Sequence, residues 1–441
     1  MFSIGIILGS FKQRKTKKRL TKMKLMKTGM AVAVAAATLV TSNLAFAEDT
    51  VLQLYTWREQ DQAVFDYINE NNLIPGVQIK SNIYNGAGEH ETKLRIDFQT
   101  NRPDLYHAKA GTAWIQPWID AGVAAPVTDL GINLDNFGEA ALFGATGTDG
   151  EVYGVPFVMQ MQSILYNKAV VKSEPKNLNE LEALFESLKG QGIVPLHVDG
   201  RDAWYLNQVL HETILAGMTD DKWSQDVVVG DACFTDDVYV DAMERFKSWQ
   251  DKGYMNPTPL ADDYGSMRTG VALGTSAMMV DGIWSATPAS PMYEIDPSLE
   301  LGYMAIPGTS NKVYGFVDGH IAYNPNSKKT DAIKKVLEFY TTKEFSQLFA
   351  DKVEAIPAST HKINVDSDRV NQAAKLIGTN ALPGLPFFTP ALNGGEPTYQ
   401  ALTASGLQEL LAGKTTARGM AEKIQKTLNS QGYVGAKNCA M

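Results

Sequence analysis

The sequence predicts an α/β fold in which a mainly parallel β-sheet is flanked by helices, and three observations lead to this class. The chain has 441 residues, 44% of them hydrophobic, which is enough to bury the cores of two or three domains. Segments with the alternation of strands and segments with helical spacing follow one another, separated by short breaks that contain Gly or Pro. Such strand–helix–strand order is typical of parallel sheets covered by helices.

The first elements follow this order closely. Residues 51–57 are predicted as a strand, 61–71 as an amphipathic helix, 77–84 as a second strand and 89–99 as a second helix, and a third strand begins at Pro103. Ligands of parallel α/β sheets bind at the carboxyl ends of the strands. The loops that follow these three strands are therefore candidate parts of a site.

The second half continues the pattern. Residues 159–166 have the β-branched and aromatic content of a long strand. The other predicted segments are helices at 177–190, 204–216, 236–252, 264–272 and 331–340, an apolar segment at 277–284, and strands at 301–306 and 319–323. The sequence thus predicts a second α/β unit after the first.

The N-terminal segment has the pattern of a secretory signal peptide. Residues 12–27 include nine Lys or Arg and no acid, and an apolar run follows at 29–40. Ala45-Phe-Ala47 fits a small-x-small cleavage site, so we predict that residues 1–47 are a signal peptide, with Met23 or Met26 as alternative starts. A nucleic-acid-binding arm and a membrane anchor are the alternatives, although the apolar run is short for a bilayer.

Removal of residues 1–47 would leave 394 residues with 31 basic and 49 acidic side chains, a formal net charge of −18. This acidity argues against a nucleic-acid partner, because nucleic acids are bound by clustered Lys and Arg. The sequence has no later run of 18 apolar residues, and it has no cysteine at the cleavage site. We therefore expect a periplasmic protein without a lipid anchor. Cys233 and Cys439 would meet an oxidising compartment there, but their spacing leaves pairing open.

Motifs for catalysis and metal binding are weak. The sequence has no G-x-S-x-G, H-E-x-x-H, C-x-x-C or G-x-G-x-x-G motif, and its six histidines include no pair at i, i+4. Gly413-Lys-Thr415 is similar to the end of a phosphate loop, but a helix C-cap explains it better. Asp262 and Asp263 would suit a glycoside hydrolase, although a solvated loop is the simpler explanation. We predict no metal, no cofactor and no enzyme activity.

Six short motifs in one order carry a family resemblance. They are Trp57-Arg-Glu59, Pro103-Asp-Leu105, Tyr153-Gly-Val-Pro156, Leu165-Tyr-Asn-Lys168, Gly274-Thr-Ser-Ala-Met-Met279 with Asp281-Gly-Ile-Trp284, and Glu354-Ala-Ile-Pro-Ala-Ser359. Through them, residues 48–441 resemble the family 1 extracellular solute-binding proteins of ABC transporters, the maltose-binding-protein-like group. The resemblance implies a two-lobe periplasmic binding protein fold with hinge-crossing segments. The N-terminal lobe would comprise 48–158 and 314–356, and the C-terminal lobe 159–313 and 357–441.

The resemblance and the chemistry of sugars select candidate ligand contacts. Sugars present apolar C–H faces and hydroxyl groups, so their sites combine aromatic rings with planar hydrogen-bonding groups. The candidates are Trp57, Glu59, Asn85, His107, Gln160, Gln162, Trp204, Asp281, Trp284, Asp318 and His320. Core packing or a structural hydrogen bond is the alternative for each. Phe387 and Phe388 could add an aromatic wall, whereas Trp114 is expected to pack within a helix.

These inferences predict a non-catalytic receptor that captures a mono- or oligosaccharide by hinge closure and delivers it to the permease of an ABC importer. A binding protein for a phosphate ester or a cationic solute is one alternative, and a periplasmic glycoside hydrolase is another. The resemblance favours a monomer. It leaves open whether a chemoreceptor is a further partner.

Overall fold

The computed structural model describes residues 49–84, 86–382 and 390–439, which belong to one compact unit. The predicted signal peptide, Asn85, Phe387 and Phe388 lie outside these residues. The described strands are β1 (Thr50–Thr56), β2 (Val77–Ile83), β3 (Leu105–Lys109), β4 (Val155–Asn167), β5 (Val194–His197), β6 (Ser276–Gly282), β7 (Leu301–Met304), β8 (Val313–Tyr323), β9 (Ile356–Pro357) and β10 (Ala381–Leu382).

The helices surround these strands, and no helix within the described ranges is long and apolar enough to cross a membrane. They are α1 (Gln62–Glu70), α2 (Ala87–Asp97), α3 (Thr112–Asp120), α4 (Glu139–Phe143), α5 (Leu178–Gly190), α6 (Glu212–Met218), α7 (Asp221–Val229), α8 (Asp237–Asp251), α9 (Tyr264–Ala272), α10 (Met292–Ile295), α11 (Thr330–Tyr340), α12 (Lys343–Val353), α13 (Asp368–Asn380), α14 (Pro390–Asn393), α15 (Tyr399–Leu411) and α16 (Ala417–Ser430).

The strands form one mixed sheet in the order β2-β1-β3-β8-β4-β6-β5. β1 pairs in parallel with β2 and β3, and β5 pairs in parallel with β6. The two long strands β4 and β8 are antiparallel to each other and to β6 and β3, respectively. The sheet is therefore parallel at both ends, as predicted, whereas its centre is antiparallel because β4 and β8 run through it in opposite directions.

Most predicted elements are present within a few residues of their expected bounds. The segment predicted as one helix at 204–216 is instead a π-helix, Tyr205–His211, followed directly by α6. The sequence patterns do not predict the elements β5, β9, β10, α4, α7, α10, α12, α13, α14 and α16. Gly413 follows α15 in the left-handed conformation with φ 66°, and its N–H bonds to the Leu410 carbonyl, so the C-cap interpretation is confirmed.

Two large hydrophobic clusters support the sheet. The N-terminal core draws its buried residues from 52–158 and 317–358, and the C-terminal core draws them from 161–313 and 373–439. β4 and β8 contribute to both cores. The disulfide between Cys233 and Cys439, with Cα atoms 5.5 Å apart, links the start of the α8 region to the chain beyond α16 within the C-terminal core.

Candidate functional site

A cavity of about 720 Å³ is lined by residues packed on both cores. We name its two sides by the part of the chain that supplies them, with residues 57–114 and Asp318 on one side and residues 202–291 and Gln400 on the other. The N-terminal wall consists of Trp57, Arg58, Glu59, Gln60, Gly86, Ala87, Gly88, Glu91, Lys109, Trp114 and Asp318. The C-terminal wall consists of Asp202, Trp204, Asn207, Gln208, Tyr264, Arg268, Trp284, Thr287, Ala289, Ser290, Pro291 and Gln400.

An ion-pair cluster organises the N-terminal wall at the carboxyl end of β1. Arg58 is only 1% exposed, and its backbone N–H donates to Thr56 Oγ1. Its guanidinium donates to both carboxylate oxygens of Asp61, at 2.8 and 3.1 Å, and to Asp318 Oδ2 on β8 at 3.3 Å. The bidentate geometry fixes the planar guanidinium in one orientation. The wall is thus tied to β8 before any ligand binds.

Buried histidines lie behind this wall. His107 on β3 stacks on Phe157 with ring centroids 4.3 Å apart, and burial together with the charge of Arg58 lowers its pKa well below the usual value. Burial also lowers the pKa of His90 to about 4 and that of His320 to about 3. Neither ring nitrogen of His320 has a hydrogen-bond partner in the described ranges. These imidazoles are therefore neutral near pH 7.

Aromatic rings dominate the C-terminal wall around Tyr264, the first residue of α9. The Trp204 ring packs edge-on against Tyr264 with centroids 4.9 Å apart, and 42% of Trp204 is exposed. The Trp284 indole N–H donates to Tyr264 Oη at 2.7 Å, and this hydroxyl donates to Asp281 at 2.9 Å. Arg268 lies one turn further along α9, with Cζ 4.2 Å from the Tyr264 ring centroid. The wall is a connected aromatic surface with one guanidinium on it.

Two buried carboxylates lie behind the C-terminal wall. Asp281 accepts hydrogen bonds from Tyr264, Ser285 and the Gly282 N–H, and burial raises its pKa to about 6. Asp199 Oδ1 accepts the backbone N–H groups two and three residues later, whereas Oδ2 has no partner among the residues described. Burial raises the pKa of Asp199 to about 7. Both carboxyl groups are therefore protonated more easily than an exposed aspartate.

Three cavity-lining residues have buried polar atoms without a protein partner in the described part of the chain. They are Nε1 of Trp114, Oδ1 of Asn207 and Nε of Arg268. Asn207 is 8% exposed and lies in the π-helix, a form found often at functional sites. Buried polar atoms are nearly always hydrogen-bonded in proteins. These donors and this acceptor are therefore available to a ligand with hydroxyl groups.

The candidates from the sequence fall into three groups. Trp57, Glu59, Trp204, Trp284 and Asp318 line the cavity. His107, Gln160, Gln162, Asp281 and His320 do not line it, because each is buried in the interior of the sheet or behind the wall. Asn85 lies outside the described residues. The period of a strand indicates which face a side chain occupies but not how deeply that face is buried, which explains the second group.

Sequence reasoning missed several lining residues. Trp114, expected to pack in a helix, lies in α3 and also lines the cavity. Tyr264 and Arg268 lie at i, i+4 on a helix that was predicted, and this aromatic–cation pair was the available signal. Asp263 caps α9 and pairs with Arg201, so it has a structural role. The described residues contain no group of three His, Cys, Asp or Glu that could hold a metal ion.

Comparison with protein families gives one match that covers most of the chain. The model of the bacterial extracellular solute-binding proteins matches residues 57–346. An uncharacterized ABC transporter extracellular-binding protein of Pyrococcus horikoshii is 23% identical over 321 residues, which cover 69% of this chain and 71% of that protein. A maltooligosaccharide ABC transporter solute-binding lipoprotein of Streptococcus pneumoniae is 28% identical over 226 residues, or 49% of this chain. The match spans about half, 51%, of that relative's length.

A chitin oligosaccharide binding protein is similar in three dimensions, with a TM-score of 0.70 and 21% sequence identity. The superposition covers 87% of this chain and 98% of that protein. At this level of identity the likeness shows the fold, which is the predicted two-lobe α/β architecture.

Proposed function

The chain belongs to the bacterial extracellular solute-binding proteins, and from this premise we propose that it binds an oligosaccharide in the cavity between its two walls and delivers it to an ABC importer. One observation carries the choice of a sugar. Exposed aromatic surface and buried polar atoms without partners line the same cavity. Aromatic faces suit the C–H faces of a sugar ring, and the polar atoms suit its hydroxyl groups. The sugars named for the pneumococcal and chitin-oligosaccharide relatives support an oligosaccharide.

The two hydrophobic cores support lobe boundaries at 48–158 with 314–356 and at 159–313 with 357–441. β4 and β8 cross between these lobes. Hinge closure would bring the two walls onto one ligand, so the ligand would favour the closed state by the contacts made only there. The closed lobes would then present a joint surface to the permease.

The protein acts as a receptor rather than a hydrolase in this proposal. Retaining and inverting glycosidases need a pair of carboxyl groups around the scissile bond. Four carboxylates line the cavity, namely Glu59, Glu91, Asp202 and Asp318. Asp318 accepts from Arg58 and Asp202 accepts from the Tyr264 N–H. Their roles as hydrogen-bond acceptors suit ligand binding. Pure protein should leave a bound oligosaccharide intact over hours, as measured by chromatography of the sugar.

The cellular setting follows from the family and the N-terminal pattern. We place the protein in the periplasm after cleavage behind Ala47, without a lipid anchor and as a monomer. The permease of an ABC importer is its partner, and a chemoreceptor would be a second partner if it recognises the closed form. Mass spectrometry of the exported protein tests the cleavage site and the absence of a lipid.

A thermal-shift panel tests the ligand class. Maltotriose and chitotriose represent neutral sugars, glucose 6-phosphate represents phosphate esters, and spermidine represents cationic solutes. A true ligand at one hundred times its Kd stabilises the protein by about 2.7 kcal/mol. Stabilisation by spermidine or the ester, with no response to any sugar, would contradict the proposal.

A matched pair of variants tests the location of the site. Trp204→Ala removes an exposed ring in the cavity, and Phe143→Ala removes a ring that is 59% exposed and does not line it. Only Trp204→Ala should weaken binding, by tenfold or more, when tryptophan fluorescence is titrated. Equal affinities in the two variants would place the site elsewhere.

A further inference from the structure

Arg268 is the feature of the cavity that binding of a neutral sugar leaves unexplained. It lines the C-terminal wall, its Nε atom is buried, and its guanidinium has no hydrogen bond or ion pair with any residue in the described ranges. Its described contact is the Tyr264 ring. Stacking on a ring holds the guanidinium plane in place and leaves its N–H groups free to donate.

Other arginines near the cavity have carboxylate partners. Arg58 pairs with Asp61 and Asp318, and Arg201 pairs with Asp263 at 2.7 Å. Carboxylates are therefore plentiful around the cavity, yet none lies within ion-pair distance of Arg268 in the residues described. Arg268 therefore lacks the close carboxylate partner that Arg58 and Arg201 have. Lys109 in the N-terminal wall likewise stacks on a ring, with Nζ 5.7 Å from the Trp57 centroid.

Neighbouring carboxylates on the same side are already engaged. Asp281 accepts hydrogen bonds from the hydroxyls of Tyr264 and Ser285 and from the Gly282 N–H. Asp202 Oδ2 accepts a hydrogen bond from the backbone N–H of Tyr264 at 3.3 Å. The charge of Arg268 does act on Asp281 and favours its ionised form. The described residues nevertheless show no hydrogen bond between them, so the N–H groups of the guanidinium remain available to a ligand.

Closure around a ligand would remove water from this guanidinium. A buried charge without a partner costs several kcal/mol, whereas a carboxylate can accept two parallel hydrogen bonds from one guanidinium. A sugar hydroxyl gives no compensating charge. A ring stacked on Trp204 or Trp284 would hold its substituents close to the same wall.

We infer that the bound oligosaccharide carries a carboxylate, as a uronic acid residue does, and that Arg268 pairs with it and determines this specificity. The inference rests on the proposed function, because it assigns a chemical class to the sugar in that site. It makes the C-terminal wall the side that distinguishes acidic from neutral sugars.

Titration calorimetry with matched sugars tests this specificity. Trigalacturonate, triguluronate and glucuronic-acid-substituted xylotriose would each be compared with its carboxyl-reduced, neutral form and with a sulfated trisaccharide. At least one acidic sugar should bind at least tenfold more tightly than its reduced form. Stronger binding of the sulfated sugar, or equal or stronger binding of neutral sugars, would overturn the carboxylate assignment and leave the proposed function intact.

Arg268→Gln should abolish the preference for the acidic form, and Arg268→Lys should keep part of it. The matched control is Arg95→Gln, because Arg95 also stacks on a ring, with Cζ 5.2 Å from Trp118, but does not line the cavity. Thermal denaturation of each variant checks that it folds. An unchanged preference in a folded Arg268→Gln protein would overturn the inference. Failure of every sugar, acidic or neutral, to bind would overturn the proposed function itself and this inference with it.

Discussion

Arg58 and Arg268 line the same cavity, yet the protein treats their charges in opposite ways. Arg58 in the N-terminal wall is held by two carboxylates, whereas Arg268 in the C-terminal wall stacks on the Tyr264 ring and has no ion pair at hydrogen-bond distance among the described residues. Removal of a paired, buried guanidinium destabilises the fold because its carboxylates are left without a cation, whereas an unpaired guanidinium is available to a ligand. The comparison indicates that the N-terminal wall is preorganised by its own charges and that the C-terminal wall is completed by the ligand.

Burial shifts the pKa values of the histidines and of the carboxylates behind the walls in opposite directions. Burial lowers the pKa values of the histidines behind the N-terminal wall, and His320 reaches about 3. Burial raises the pKa values of the carboxylates behind the C-terminal wall, and Asp199 reaches about 7. In the folded protein it is unfavourable to deprotonate Asp199, and it is also unfavourable to protonate His320. The contributions of Asp199 and His320 to stability should therefore respond to pH with opposite signs.

The largest expected effect comes from removing the paired guanidinium. Arg58→Met keeps the aliphatic stem but leaves Asp61 and Asp318 buried without their cation. Breaking a buried ion pair in this way costs about 3–5 kcal/mol. Arg268→Met is the matched control, since it removes no ion pair among the described residues and should cost much less. Urea denaturation followed by circular dichroism measures both, and equal losses of stability would refute the distinction between the walls.

The next largest expected effect is a loss of stability in acid that is caused by His320 on β8. An unfolded histidine has a pKa near 6.5, so between that pH and about 3 the unfolded chain binds a proton that His320 in the fold does not. Its stabilising contribution is complete above pH 6.5 and falls by about 1.4 kcal/mol per pH unit below it. His320→Leu should reduce the acid slope of the unfolding free energy by this amount.

The control for this slope is Ile321→Leu, which changes packing on β8 without removing a titratable group. It should retain the slope of the unmodified protein. If His320→Leu shows the same acid slope as Ile321→Leu, the imidazole is not neutral in the fold. Urea titrations at pH 4, 5, 6 and 7 supply the four points needed.

The sequence predicts the secondary-structure elements better than it predicts the residues of the candidate site. The strands around the cavity and the rings of Trp57, Trp204 and Trp284 follow from local patterns and from motif order. The depth of His320 and the cavity-facing side of Arg268 could not be predicted, because they depend on which elements cover β8 and α9 in the fold. Local periodicity assigns a residue to a face, and only tertiary packing decides what that face meets.

The carboxylate side should show the reverse pH response. An unfolded aspartate titrates near 3.9 and Asp199 in the fold near 7, so its protonated form favours folding and this contribution is lost as pH rises through that interval. Asp199→Asn keeps an oxygen for the two backbone N–H groups and removes the ionisation. Relative to the unmodified protein, its melting temperature should rise at pH 8 compared with pH 4. A constant difference across that range would contradict the raised pKa.

The smallest expected effect comes from removing a helix N-cap. Of the two caps compared, one supports only its own helix and the other also supports the C-terminal wall. Thr398 caps α15 and Thr342 caps α12, each by accepting a backbone N–H three residues later. Loss of either cap in a Thr→Ala variant should cost about 1 kcal/mol, measured by urea denaturation. The first turn of α15 places Gln400 at the cavity, and Tyr399 Oη donates to Glu212 directly behind the π-helix that carries Asn207.

Fraying of this turn should therefore loosen two parts of the C-terminal wall, whereas the first turn of α12 contains no residue that lines the cavity. We expect Thr398→Ala to weaken binding of the oligosaccharide that binds most tightly, neutral or acidic, by less than tenfold, and Thr342→Ala to leave the Kd unchanged. Titration calorimetry resolves differences of this size. An equal loss of affinity in both variants would mean that binding depends on global stability. The first turn of α15 would then have no specific role in the C-terminal wall.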